Sequence, residues 1–192
     1  MATVVLDISV SLDGFIATPD DRLGGEDGEL LHRWFWEGGA FDRPEGLLWQ
    51  GGTSATVGAM LTGRRLYDMM DGWGGDHPCR GVPLFVITHR APPASVPEGP
   101  TAITFVNDGL ERAVELARDA AGDKNVYVIG GAGLADSLVE ARLLDEIRLH
   151  VVPVLFRDGV RLFEATGGEI SLEQVEVISE PEVTHLRYRV GR

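Results

Sequence analysis

Three short clusters in this sequence have residue types and spacing that suit the binding of a phosphate group. Gly63-Arg64-Arg65 follows a predicted strand, and Thr88-His89-Arg90 lies at the end of another. The third cluster is the turn Gly130-Gly131-Ala132-Gly133-Leu134. The planar fork of arginine binds two phosphate oxygens, and glycine lets a ligand approach the N–H groups at a helix start. Taken singly, each arginine also fits a solvated surface charge, and the glycines fit a tight turn without a ligand.

The elements that must position these clusters alternate between strands and helices. Val126 to Ile129 is a short apolar run that predicts a buried strand before the glycines, and helical spacing begins at Leu134. A long helix is predicted from Asp108 to Ala121, with Asn107 as its N-cap. Two alternating segments, Leu172 to Ile178 and Val183 to Val190, predict an antiparallel hairpin.

The order of these elements predicts an α/β fold with a doubly wound, mostly parallel mixed sheet and an antiparallel C-terminal hairpin. We expect one domain over residues 1–192. In an open α/β sheet, ligands bind outside the carboxyl ends of the strands. All three clusters are therefore expected at the same edge of the sheet.

Composition limits the ligands and the location. The formal net charge of -13 disfavours nucleic acid and anionic membranes as partners, so an anion site must supply its own positive charge. No segment approaches the roughly 20 apolar residues needed to cross a bilayer, and no signal peptide is evident. The single cysteine, Cys79, fits a reducing compartment, so we expect a cytoplasmic protein. The spacing of the five histidines predicts no metal site.

A dinucleotide is the ligand that best explains the three clusters together. The glycines would meet its pyrophosphate, and the basic residues would meet an adenosine 2′-phosphate, the group that separates NADP from NAD. The first strand ends in Ser11-Leu12-Asp13-Gly14 and lacks the usual G-x-G-x-x-G turn. A dinucleotide would therefore bind in a different way from that of an ordinary Rossmann domain.

Five motifs in their order along the chain resemble the dihydrofolate reductase-like superfamily. The closer branch is the C-terminal reductase domain of the riboflavin-biosynthesis deaminase-reductase and its stand-alone forms. The motifs are SLDGFIA from Ser11, TGRRLY from Thr62, VITHR from Val86, VIGGAGL from Val128 and LLDEIRLHVVPVL from Leu143. The resemblance implies an NADPH-dependent reductase of a pyrimidine- or pteridine-like heterocycle, similar to 5-amino-6-(5-phosphoribosylamino)uracil reductase, and a homodimer.

The resemblance also implies roles for individual residues. Asp13 and the residues after it would line the nicotinamide and substrate cleft, and Phe15 and Trp34 are candidate substrate contacts. The cofactor phosphates would be held by the following residues: Gly63, Arg64, Arg65, Thr88, His89, Arg90, Gly130, Gly131, Ala132, Gly133 and Leu134. Two positions depart from the relatives. Leu66 stands where dihydrofolate reductases carry threonine, and Ile129 stands where the riboflavin reductases carry a substrate-binding glutamate.

The reduction needs a hydride from the nicotinamide and a proton for the neighbouring nitrogen. Asp13 is the predicted carboxylate near the ring, and Glu29 and Asp27 are weaker candidates. Asp13 could instead bond its own turn, and Trp34 could pack in the core. Dihydrofolate reductase activity and a regulatory module that binds the nucleotide without turnover remain alternatives. Aliphatic residues from Leu143 to Phe156 suit either a subunit contact or ordinary core.

Overall fold

The computed structural model describes residues 2–20, 30–34, 56–77, 79, 81–164 and 168–191. Its centre is an eight-stranded sheet in the order β5-β4-β3-β6-β1-β7-β10-β9. The strands of this sheet are β1 Val4–Ser11, β3 Val57–Gly63, β4 Leu84–Ile87, β5 Ile103–Val106, β6 Asn125–Ile129, β7 Glu146–Val152, β9 Leu172–Ser179 and β10 Thr184–Val190. The short strands β2 (Phe15–Ala17) and β8 (Val160–Arg161) pair antiparallel in a second, two-stranded sheet.

The strands from β5 to β7 in the sheet order are parallel, and β10 pairs antiparallel with both β7 and β9. This confirms the predicted mostly parallel mixed sheet with an antiparallel C-terminal hairpin. Since β7 lies between β1 and β10, its aliphatic side chains belong to the sheet interior. β7 is therefore not an edge strand, and a subunit contact through Leu143 to Phe156 stays a prediction.

Among the described residues, three helices of six or more residues lie between strands: α1 Arg64–Met69, α2 Leu110–Ala121 and α3 Ala132–Glu140. Residues 30–34 are also helical, and a 3₁₀ segment covers Asp71–Gly75. The start of α2 differs from the prediction. Its N-cap is Gly109, with φ of 106°, and no side chain caps it. Asn107 is therefore not the cap, and the first N–H groups of α2 have no side-chain acceptor at that position.

Alternate residues of β1 face two different layers because successive strand side chains point to opposite faces. Val4, Leu6 and Val10 pack with the inner face of α2 and with α3 in the larger core. Val5 packs on the other face with Met60, Tyr67 and Tyr127, among other residues. No described helix is long and apolar enough to cross a membrane.

Candidate dinucleotide site at the strand ends

A groove of about 230 Å³ lies at the carboxyl edge of the sheet, and we call it the strand-end groove. It runs between the ends of β3 and β4 and the starts of α2 and α3. Its lining is Gly63, Ile87, Thr88, His89, Val106, Gly109, Leu110, Gly133, Leu134 and Ser137. Five of the residues predicted from the sequence to contact a cofactor therefore share one groove. Two helix starts beside it provide the partial positive charge that suits an anion.

The glycine turn joins β6 to α3 and requires glycine at two positions. Gly130 and Gly131 have φ of 74° and 77°, a region that residues with a Cβ rarely adopt. A Cβ on Gly130 would also lie 2.1 Å from Leu66 Cδ2 of α1. Leu66 thus packs on the turn, and at this position an aliphatic contact replaces the threonine hydroxyl of dihydrofolate reductases. Gly131 is the N-cap of α3 and Ala132 is its first residue.

Arg64 and Arg90 follow the lining residues Gly63 and His89 in sequence, are not themselves among the lining residues, and share one carboxylate. Arg64 Nε donates to Asp68 Oδ1 at 2.6 Å, and Arg90 Nη2 donates to Asp68 Oδ2 at 2.9 Å. The hydrogen bond from Arg64 is the main reason that the pKa of Asp68 is lowered. Arg64 Nη1 also donates to the Ala91 carbonyl at 2.8 Å. The fold therefore gathers two guanidinium groups, one from the first residue of α1 and one from the turn after β4, around one anionic group.

The other residues of the two arginine-containing clusters differ in their surroundings. Thr88 is buried, and its Oγ1 accepts a hydrogen bond from the Arg90 N–H at 3.0 Å, which fixes the turn after β4. His89 is exposed and lines the groove. Arg65 is exposed on α1 and is not among the lining residues. A role for Arg65 in phosphate binding stays a prediction.

Asp13 lies in a turn and its carboxylate is fully engaged. Its Oδ1 accepts from Ser11 Oγ at 2.7 Å and from the Phe156 N–H at 3.1 Å, and its Oδ2 accepts from the Arg157 N–H at 2.8 Å. The Ser11 bond, followed by the Arg157 and Phe156 bonds, lowers the pKa of Asp13. These three hydrogen bonds favour the ionised form of the carboxylate. These bonds give Asp13 the structural role of joining the turn after β1 to the chain after β7, and its catalytic role stays a prediction.

Neither aromatic candidate forms an open substrate wall. The Phe15 side chain is buried in β2, with the Arg161 guanidinium 4.4 Å above its ring. Trp34 is 4% exposed, and its Nε1 donates to Ser9 Oγ at 3.1 Å and to the Leu31 carbonyl at 3.0 Å. Core packing is therefore the correct reading for Trp34 in this structure. Asp27 and Glu29 lie outside the described residues.

Sequence reasoning missed a row of buried polar side chains on the second face of the sheet. Asp7 and Ser9 of β1, His150 of β7 and His185 of β10 belong to it. The signal was available, because Asp7, Ser9 and Ser11 alternate with the apolar residues of β1. The pairing of β7 with β10, which sets His150 opposite His185, could not be read from local sequence.

The architecture and the turn at its carboxyl edge define a doubly wound α/β protein of the dihydrofolate reductase-like fold. The family model for the RibD C-terminal domain matches residues 2–186, and the chain belongs to that family. Membership confirms the resemblance drawn from the sequence motifs. It identifies the chain as a reductase-type protein of the riboflavin-pathway kind and leaves its substrate and cofactor to be proposed.

Individual proteins and solved structures are also similar to this chain. The uncharacterized protein YwjB of Bacillus subtilis (strain 168) is 28% identical over 168 residues, which cover 88% of this chain and 86% of YwjB. A candidate riboflavin biosynthesis protein from Shewanella sp. PV-4 superimposes with a TM-score of 0.73 at 24% identity, with both chains fully covered. A dihydrofolate reductase from Enterococcus faecalis, complexed with NADP(H) and RAB-propyl, has a TM-score of 0.57 at 15% identity, covering 99% of this chain and 97% of the other. The last two likenesses show the fold.

Proposed function

We propose that this protein is an NADPH-dependent reductase of a pyrimidine- or pteridine-like heterocycle. The observation that carries the proposal is the strand-end groove, which lies at two helix starts without a side-chain cap and is lined by Gly63 and His89, the residues just before the paired arginines. In a chain with a net charge of -13, this arrangement is suited to an anionic ligand. The structural relative solved with NADP(H) makes a nicotinamide dinucleotide the natural candidate.

The residues present fit the phosphates of such a cofactor. Gly131 and Gly133 leave the backbone at the start of α3 open to a pyrophosphate, since no atom lies within 4 Å of a Cβ built on Gly133. Thr88, His89 and Arg90 would face the adenosine 2′-phosphate. The Arg90 side chain is 63% exposed, and its guanidinium donates a hydrogen bond to Asp68 through Nη2. Its other N–H groups can therefore donate hydrogen bonds to a ligand. When bound, the nicotinamide supplies the hydride.

Titration of NADPH and NADH, followed by tryptophan fluorescence, tests the cofactor assignment. We expect NADPH to bind at least about tenfold more tightly than NADH, about 1.4 kcal/mol, because only NADPH carries the 2′-phosphate. Arg90→Ala should remove most of that difference by weakening NADPH alone. Arg112→Ala, an exposed arginine on α2 paired with Glu115, is the matched control. Equal losses for both dinucleotides in Arg90→Ala would contradict the 2′-phosphate role.

Turnover is tested by NADPH oxidation in the presence of 5-amino-6-(5-phosphoribosylamino)uracil, its dephosphorylated form and 7,8-dihydrofolate. Oxidation with a uracil derivative supports the proposal, and oxidation with dihydrofolate alone would identify a dihydrofolate reductase. If NADPH binds tightly but none of the three compounds causes its oxidation, the protein is better explained as a regulatory module that binds the nucleotide without turnover.

We also propose that the protein forms a homodimer through β9. This strand pairs with β10 on one side, and among the described residues nothing pairs with its other edge. Val175 and Val177 are 38% and 47% exposed, which is unusual for an edge strand of a protein that stays monomeric. Light scattering should give about twice the 20.8 kDa chain mass, and Val177→Lys should shift the mass to that of one chain. A wild-type monomer would refute the proposal.

A further inference from the structure

The two arginines that share Asp68 differ in how far each side chain is open to a ligand. The Arg64 side chain is 13% exposed, whereas that of Arg90 is 63% exposed. Arg64 is the first residue of α1, and Arg90 lies in the turn after β4. The sequence predicts that both contact the cofactor phosphates, but their surroundings give them different tasks.

The guanidinium group of Arg64 is held from three directions. Its Nε donates to Asp68 Oδ1 at 2.6 Å, and its Nη1 donates to the Ala91 carbonyl at 2.8 Å. Its Cζ lies over the ring of Phe105 in β5, 5.7 Å from the ring centroid. The Phe105 ring in turn packs edge-on against Tyr67 of α1, with 5.0 Å between the ring centroids. Arg64 would have to give up these contacts before it could turn to a ligand.

Arg90 has a fixed backbone and a side chain with few contacts. Its backbone N–H donates to Thr88 Oγ1 at 3.0 Å, which sets the position of the residue in the turn. Its Nη2 donates to Asp68 Oδ2 at 2.9 Å, and this is the one guanidinium hydrogen bond of Arg90 among the described residues. The other N–H groups of its planar fork can therefore meet a phosphate.

Asp68 divides its two carboxylate oxygens between the arginines. The hydrogen bond from Arg64 is the largest cause of the lowered pKa of Asp68, and Arg90 contributes less. An arginine and a carboxylate prefer two parallel hydrogen bonds between the fork and both oxygens. If Arg64 did not occupy Oδ1, both oxygens of Asp68 could accept from Arg90. The guanidinium group of Arg90 would then be held against α1 and would leave a ligand only with difficulty reachable.

We propose that Arg64 is a positioning residue for the cofactor, because it binds one oxygen of Asp68 and so leaves Arg90 with a single bond that a 2′-phosphate can replace. The proposal rests on the NADPH-dependent function proposed above. Arg90 makes the phosphate contact, and Arg64 acts on it through Asp68. Arg64 thus contributes to the preference for NADPH over NADH without touching the phosphate itself.

A double-mutant cycle on the full-length protein separates a positioning role from a direct contact. The Kd values of NADPH and NADH are measured by tryptophan fluorescence in the wild type, Arg64→Gln, Asp68→Asn and the double variant. Arg64→Gln alone should weaken NADPH by about fivefold, the upper value of one exposed ion pair, and leave NADH unchanged. In the Asp68→Asn background the same change should weaken NADPH by less than about twofold, because no carboxylate remains to hold Arg90.

Two results of the cycle would overturn the proposal. An equal loss of NADPH affinity in both backgrounds means that Arg64 contacts the phosphate directly. No loss in either background means that Arg64 has no part in cofactor binding. Arg189→Gln and Glu173→Gln are the matched control, since these residues form an exposed ion pair at 2.6 Å on β9 and β10. Neither change, alone or combined, should alter the affinity for either dinucleotide.

A conservative variant guards against a general loss of structure in Arg64→Gln. Arg64→Lys keeps a positive charge that can reach Asp68, so it should retain NADPH affinity within about twofold of the wild type. A loss as large as that of Arg64→Gln, with the urea midpoint unchanged, would count against the proposal, because the charge on Asp68 would then be irrelevant.

Failure of the cofactor assignment has a different signature. If the wild-type protein binds neither dinucleotide, the proposed function fails, and the positioning role is judged in the ligand-free protein. Rotation about the Cζ–Nε bond of Arg90 is then measured by NMR on ¹⁵N-arginine-labelled protein, with Arg90→Ala to assign the signal. It should slow in Arg64→Gln, because both oxygens of Asp68 then bind Arg90. Unchanged rotation excludes the proposal.

Discussion

Asp68 occupies the place of an anion between the two arginines, so its charge should oppose the binding of a phosphate at Arg90. Arg90 Nη2 lies 2.9 Å from Asp68 Oδ2, and Arg64 keeps a second acceptor in the Ala91 carbonyl. Asp68→Asn removes the negative charge and leaves a side chain of the same shape. We therefore expect this substitution to strengthen the binding of NADPH.

The size of the effect follows from the geometry. A phosphate bound to a neighbouring N–H of the Arg90 guanidinium would lie about 6 Å from the Asp68 carboxylate, about two hydrogen-bond lengths away. The side chains of Arg90 and Asp68 are 63% and 39% exposed, so the dielectric constant of water applies. Each unit charge on the phosphate then costs about 0.7 kcal/mol, or about 1.2 kcal/mol for the whole group. Screening at physiological salt roughly halves this value to about 0.6 kcal/mol, a factor of about three in Kd.

Fluorescence titration at two salt concentrations measures this prediction. NADPH should bind about threefold more tightly to Asp68→Asn at physiological salt and more tightly still at low salt, whereas NADH affinity should not change. Asp119→Asn, an exposed carboxylate near the far end of α2, removes the same charge from the protein away from the groove. Weaker NADPH binding in Asp68→Asn would refute the reasoning and would mean that Asp68 serves mainly to orient Arg90.

Two further predictions concern stability. Gly130→Ala should lower the free energy of unfolding in urea by about 1–3 kcal/mol, because its φ is 74° and the new Cβ would meet Leu66. Gly133→Ala should not lower it, because a Cβ at that position meets no atom within 4 Å. Equal losses in the two variants would show that the Leu66 contact is unimportant. His77 accepts a hydrogen bond from the Cys79 N–H, and burial lowers its pKa from 6.5 to about 4. Since the unfolded chain binds the proton more readily, the free energy of unfolding should fall by up to about 3 kcal/mol as the pH drops from 6.5 to about 4. If the urea midpoint of His77→Gln falls as steeply over this range as that of the wild-type protein, His77 is not the cause.

Much of the fold was predictable because local patterns and the global sheet agree. The apolar run before Gly130 became β6 (Asn125–Ile129), and the two alternating C-terminal segments became the paired strands β9 and β10. The small strand β8 (Val160–Arg161) was not predicted, since two residues carry no periodicity and form a strand only by pairing with β2. The expected Asn107 cap also failed, because Gly109 adopts a conformation that begins α2 two residues later.

The candidate site was predictable only in part, because some of its features are local in sequence and others depend on contacts between distant segments. Glycine turns and basic residues at strand ends are local signals, and the parallel sheet brings them to one edge. Asp13 was assigned to chemistry because its sequence position is suggestive, but its bonds to Phe156 and Arg157 come from a segment more than 140 residues away. The Asp7, His150 and His185 chain depends in the same way on strands that pair across the whole sequence.

The sequence by itself determined the class of fold, the edge of the sheet at which the phosphate-type residues meet, and the family. These properties follow from periodicity, from glycine and arginine at strand ends, and from the order of the motifs. Tertiary structure alone decided that Asp68 bridges two arginines, that Asp13 is an engaged acceptor, and that the Nδ1 atoms of two buried histidines lie within hydrogen-bond distance. Each of these depends on distances between side chains from different elements, and such distances are fixed only when the strands pair and the helices pack against them.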